Sequence, residues 1–155
     1  MVKLPSVRVS DPNGVVYRDE FLNVDFALIP TGGKATAHAP ALIETKDDGL
    51  LCAWFAGSFE GSGDISIAVS KLNPETQVWS NAVIVSKGKN RSEQNPAFFR
   101  APDNQIWLIY TSQLSRQEGE DNVQFTSIIM VQKSSDEGLT WGEPEVLFPE
   151  EGTFS

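Results

Sequence analysis

His38 is the single histidine of this 155-residue sequence, and two carboxylates, Glu60 and Asp64, lie in the glycine- and serine-rich stretch GSFEGSGD at 57–64. Histidine is the side-chain type that exchanges protons near neutral pH, and a carboxylate held in a cleft can serve as a general acid. Further along, the adjacent amides Gln94 and Asn95 suit sugar hydroxyls, which need both donors and acceptors. Arg116 is the only cation of the polar stretch SQLSRQEGEDNVQ and could grip a carboxylate. Each of these residues also has a plainer reading. His38 could be hydrogen-bonded at a strand start, Glu60 solvated, Asp64 a loop cap, and Arg116 a surface partner of Glu118, Glu120 and Asp121. Cys52 sits inside an apolar run and reads as a buried structural thiol. One histidine and one cysteine, without ligand spacing, predict no metal site and no cofactor.

The elements that must position these residues belong to a globular chain. Hydrophobic residues make up 40% of it and charged ones 21%. The formal charge of −9, with no Lys/Arg cluster, argues against a nucleic-acid partner. The longest apolar run, LLCAWFAG, is too short to span a bilayer, so no membrane partner is expected. The N-terminus has no apolar core of signal-peptide length. The chain as given therefore reads as cytoplasmic, with secretion left open for a longer protein.

Short aromatic or β-branched segments separated by Gly, Asp, Asn and Pro predict an all-β chain. ALIET (41–45), LLCAWFA (50–56), DISIAVS (64–70) and NAVIV (81–85) form one series. PAFFR (96–100), QIWLIYTS (105–112), QFTSIIMVQ (124–132) and PEVLF (144–148) form another. The two series are copies. Pro40 lies over Pro96, Asp48 over Asn104, Trp54 over Tyr110, and Trp79 over Trp141. A repeat of roughly 60 residues holding four strands is the pattern of β-propeller blades. The predicted layout is an N-terminal strand region at 1–36, blade one at 37–88, blade two at 93–149 and the start of a third at 150–155. Two blades do not close a ring, so the chain reads as part of a larger propeller with open blade edges that would allow self-association.

The stretch SSDEGLTW at 134–141 falls between the third and fourth strands of the second series. Ser134 and Asp136 can bond the turn's own backbone, Gly138 can take positive φ, and Trp141 offers apolar area as an anchor. The first series holds a worn version, SKLNPETQVW, which lacks the aspartate. Such a repeated element is architecture. With Thr140 it fits the Asp-box pattern Ser-x-Asp-x-Gly-x-Thr-Trp that recurs in sialidases. HAPALIETKDDGLLCAWFAGS resembles the first sialidase blade, where Arg-Ile-Pro opens the innermost strand. The resemblance covers about 36–148 and implies a six- or seven-bladed propeller of four-stranded antiparallel blades that cleaves glycosidic bonds of terminal or acidic sugars.

What the resemblance implies for the site is specific. His38 stands where a sialidase carries the arginine of Arg-Ile-Pro, and Ser58 where a second arginine is often found. Glu60 falls closest to the aspartate that protonates the leaving group. The other sialidase arginines, the nucleophilic tyrosine and its glutamate would lie beyond Ser155. Antiparallel connectivity places His38, the 57–64 loop, Gln94, Asn95 and Arg116 on the face opposite the Asp box. Phe59, Trp54 or Tyr110 could stack on a sugar, although Trp54 and Tyr110 repeat between the series and read as core. Three functions fit: a glycosidase with Glu60 as acid, a uronate-polysaccharide lyase using His38, or a glycan-binding propeller without turnover.

Overall fold

The computed structural model of the chain describes residues 12–86 and 88–154, so what the sequence suggests for residues 1–11 and 155 lies outside the described residues. Eleven strands form three antiparallel sheets, and one 3-10 turn is the only helical element among the described residues. A small hairpin pairs β1 (Tyr17–Asp19) with β2 (Val24–Phe26). The first large sheet runs β3 (Thr36–Glu44), β4 (Leu50–Gly57), β5 (Ser66–Asn73), and then two short strands beside β5. Those are β6 (Val78–Trp79), opposite Leu72 and Asn73, and β7 (Val83–Ile84), opposite Ala68 and Val69. The second sheet is a four-stranded meander of β8 (Arg91–Arg100), β9 (Ile106–Leu114), β10 (Ile128–Ser134) and β11 (Glu145–Phe148).

The repeat seen in the sequence is present in the backbone. β3 is bulged between His38 and Ala41, and β8 between Gln94 and Ala97. The residue before each bulge proline has positive φ, 50° at Ala39 and 51° at Asn95. Pro40 and Pro96 are tolerated inside strands because a bulge leaves one residue unpaired. This corrects the strand boundaries read from sequence. The first strands start before the proline, so His38 and Gln94 lie within β3 and β8 rather than at their beginnings. The following hairpins match as well. Thr45 N donates to Gly49 O and Ala101 N to Gln105 O, with Asp48 and Asn104 both at positive φ.

Alternation along the strands builds two cores. Leu51, Ala53 and Phe55 of β4 and Ile65, Ile67 and Val69 face Ile106, Leu108 and Tyr110 of β9. The other face of β4, with Cys52, Trp54 and Ala56, is covered by Val16, Ala27 and Ile29 from the N-terminal segment. β4 is thus buried on both faces, which is why it reads as an unbroken apolar run. Tyr110 is the counterpart of Trp54, so each large sheet turns the same face toward what precedes it in the chain. The opposite face of the second sheet leaves Phe99 and Phe148 about half exposed.

Candidate functional site

The β4–β5 loop and the long β9–β10 loop meet at one end of the two sheets, and Arg116 fastens them. Its backbone N donates to Gly61 O at 2.9 Å, Nη2 to Glu60 O at 3.0 Å and Nη1 to Glu120 O at 3.0 Å. The guanidinium also lies 6.0 Å from the centroid of Phe59. Gly61 has φ of 92°, and a Cβ there would stand 2.6 Å from Arg116 Nε, so the clasp requires glycine. Beneath it is a polar pocket of about 180 Å³. Its buried lining is Gly61 and the side chains of Gln94 and Gln113, and its exposed lining includes Glu60, Asn122 and Gln124.

The structure therefore brings Glu60, Gln94 and Arg116 together, and not the other candidates. His38 is exposed, stacks on Phe55 at 5.3 Å and 18°, and lines a separate apolar hollow of about 460 Å³ with Cys52 and Trp54. Asp64 accepts from Ser58 N at 3.1 Å, from Ser58 Oγ at 2.7 Å and from Ser62 Oγ at 2.7 Å. The Ser62 hydroxyl, with Ser58, holds that carboxyl below its ordinary range, so Asp64 is an anion spent on its own loop. Asn95 is partly buried at the β8 bulge and does not line the polar pocket. Trp54 and Tyr110 are core residues, 4% and 0% exposed. Burial pushes the Cys52 thiol up to about 11, which leaves it un-ionised and unreactive at neutral pH. Among the described residues, no group of three His, Cys, Asp or Glu is placed to hold a metal ion, and no helix is long and apolar enough to cross a membrane.

Gln113, Asn122 and Gln124 were not singled out from sequence. Gln113 is 3% exposed and faces Ser92 across the β8–β9 ladder. The polar ends of those two strands, SEQ (92–94) and TSQ (111–113), lie opposite each other. A polar run ending two neighbouring strands is the signal that could have found it.

Glu93 lies on the neighbouring position and is 3% exposed, with Oε2 lacking a hydrogen-bond partner among the described residues. Burial pushes its carboxyl up, partly offset by the Ser86 hydroxyl and the Gly88 backbone. A raised folded-state value means that the native protein binds the proton more tightly than the unfolded chain. Stability contributed this way is complete below the unfolded value of about 4.3 and falls as pH rises through the native one. Glu93→Gln keeps the shape without the charge. The unfolding free energy from urea denaturation is expected to be about 1 kcal/mol higher in the variant at pH 8 and to differ little at pH 4. A variant less stable than the parent at pH 8 would show that the charge is needed.

At the other end of the second sheet, Ser134, Asp136 and Thr140 form a closed hydrogen-bonded turn. Asp136 Oδ1 accepts from Thr140 N at 2.9 Å and from Ser134 Oγ at 2.8 Å, while Ser134 Oγ accepts from Gly138 N at 2.9 Å. Trp141 stacks on Phe98 with centroids 6.2 Å apart. The turn also grips the first sheet. Glu137 accepts both terminal nitrogens of Arg100, at 2.7 and 3.0 Å, and the backbone N of Lys46 at 3.1 Å. In the first sheet Asn73 replaces the aspartate, and its Oδ1 accepts from Glu75 N and Thr76 N.

This layout has known counterparts. The sequence profile of the BNR repeat-like domain matches residues 48–155. The chain belongs to that family. A comparison with curated protein sequences finds no match. Among solved structures, the BNR chain resembles the Hadza microbial sialidase Hz136, with a TM-score of 0.62 and 20% identity over 74% of this chain and 26% of that one. It also resembles the Trypanosoma rangeli sialidase solved in complex with sialic acid, with a TM-score of 0.51 and 15% identity over 96% of this chain and 26% of that one. A third neighbour is a protein of unknown function from Dyadobacter fermentans, with a TM-score of 0.57 and 14% identity over 76% of this chain and 38% of that one. The BNR chain thus spans about a quarter of the length of either sialidase, and the likeness establishes the sialidase-like fold.

Proposed function

We propose that this BNR chain supplies two blades of a six- or seven-bladed sialidase-like propeller whose complete form binds glycans and cleaves glycosidic bonds at terminal or acidic sugars. The observation that carries the reading is the polar pocket, built by corresponding loops of two repeats at the end opposite the Asp box. Serial stacking supports closure, because each large sheet buries the same face on its predecessor and a further sheet would cover Phe99 and Phe148. In this reading Glu60 protonates the leaving group, Gln94 holds sugar hydroxyls, and the nucleophile comes from another blade.

A second reading, glycan binding without turnover, draws on the separation of His38 from the Glu60 pocket and on the commitment of Asp64 to its loop. The test uses the natural gene product that contains this sequence, assayed on sialylated and uronate-bearing glycans. The hydrolase reading expects released sugar without an ultraviolet-absorbing unsaturated product, and a loss of turnover of at least tenfold in Glu60→Gln. An unsaturated uronate product would make it a lyase. Saturable binding without any product would leave the binding reading.

A further inference from the structure

From the state of the two buried amides we infer that the pocket between the loops is a subsite for one uncharged pyranose ring, not for a carboxylated sugar. The inference rests on the glycan-binding reading of this end of the sheets and adds the class of sugar. Gln94 and Gln113 are each 3% exposed and both line the pocket. Gln94 Nε2 donates to Ser92 Oγ at 2.8 Å, a bond that occupies the nitrogen end of the amide and not Oε1. Gln113 Oε1 accepts from Ser127 Oγ at 3.4 Å, a bond at the oxygen end of the amide and not at Nε2. Ser92 faces Gln113 and Thr111 faces Gln94, so the two amides sit diagonally on one face of the β8–β9 ladder. Two amides on residues that are each 3% exposed therefore line the same small space, one offering an acceptor and the other a donor. That pair matches neighbouring hydroxyls, each able to donate to one group and accept from the other.

Charge argues against an anion. Among the described residues Arg116 is the only cation lining the pocket, and each of its terminal nitrogens already donates to a backbone carbonyl, of Glu60 or Glu120. Those bonds take two of its five N–H groups and hold the guanidinium to the loops, so a carboxylate would have to share it with two carbonyls. Glu60 lines the same space, and whenever its carboxyl is ionised it would repel a second carboxylate. Size narrows the ligand further. A volume of about 180 Å³ equals about six waters at their share of the liquid, the bulk of one pyranose and too little for two.

The experiment titrates the 155-residue chain with two matched pairs, methyl β-glucoside against methyl β-glucuronide and methyl β-galactoside against methyl β-galacturonide, with binding followed by NMR shifts of the side-chain amides. At least one neutral glycoside is expected to saturate in the millimolar range, at least tenfold tighter than its uronide. Its affinity should change less than twofold between low salt and 0.5 M NaCl. In Gln113→Met the affinity should drop at least fivefold. A uronide binding as tightly as its neutral partner overturns the inference, as does the absence of saturation by either neutral glycoside at 50 mM, which would leave the amides satisfied by water alone. The pairwise preference is read on the unmodified chain, so it stands even where the variant does not fold. Neutral binding together with a natural gene product that cleaves nothing would keep the subsite and sink the hydrolase reading. Cleavage without neutral binding would do the reverse.

Discussion

Gly138→Ala is expected to destabilise the chain by about 3 kcal/mol, a large share of the margin of about 5–15 kcal/mol typical of a domain. Two independent costs add. Gly138 has φ of 81°, and an L-residue in the left-handed region costs about 1–2 kcal/mol. The new Cβ would also stand 2.4 Å from Leu51 Cδ1 and 2.8 Å from Cδ2. A leucine tip normally swings aside, but Leu51 is 0% exposed and locked between the two sheets, so overpacking adds about 1–3 kcal/mol. The contact can be isolated by a double-mutant cycle with Leu51→Ala. Urea denaturation should show the double variant more stable than the sum of the singles by about 1 kcal/mol or more. Additivity within about 0.5 kcal/mol would mean that the Asp-box turn and the first sheet do not interlock.

That interlock shows which parts of the molecule a sequence reveals. The turn at 134–141 is legible because each residue answers a local backbone demand. Asp136 and Ser134 bond atoms within four residues, and Gly138 meets a positive φ. The repeat is legible for the same reason, since Asp48 and Asn104 mark equivalent left-handed turn positions. Strand starts are hidden because Pro40 and Pro96 look like strand openings, while the bulges that accommodate them depend on pairing with β4 and β9. The fourth strand position of the first sheet divides into β6 and β7, pairs of residues too short to leave any alternation. Among the site residues, Glu60 and Arg116 come from loops rich in charge and glycine, which attract notice in a sequence. Gln113 does not. Its importance arises from the register that brings it diagonal to Gln94 and from its burial in the lining of the pocket.

The pocket and the Asp-box turn lie at opposite ends of the second sheet, because β9 and β10 are joined at one end and β10 and β11 at the other. That separation permits a clean test of architecture against function at Asp136. Thr140, through its hydroxyl first and then its backbone N–H, holds the Asp136 carboxyl down to about 2, and Ser134 adds to it. A depressed native value means that the unfolded chain, with an aspartate near 3.9, binds the proton more readily. The stabilisation is thus fully present above about pH 4 and is lost as pH falls toward 2, the opposite direction to Glu93. At neutral pH, Asp136→Ala removes the acceptor of the Thr140 and Ser134 donors and should cost about 2 kcal/mol, with partial solvent exposure keeping the figure low. Asp136→Asn should retain part of this and flatten the stability profile between about pH 4 and pH 2. Neutral-glycoside affinity, measured on the folded fraction, should change less than twofold in both variants. A folded Asp136 variant that had lost sugar binding would contradict a purely structural turn and tie the two ends of the sheet to one function.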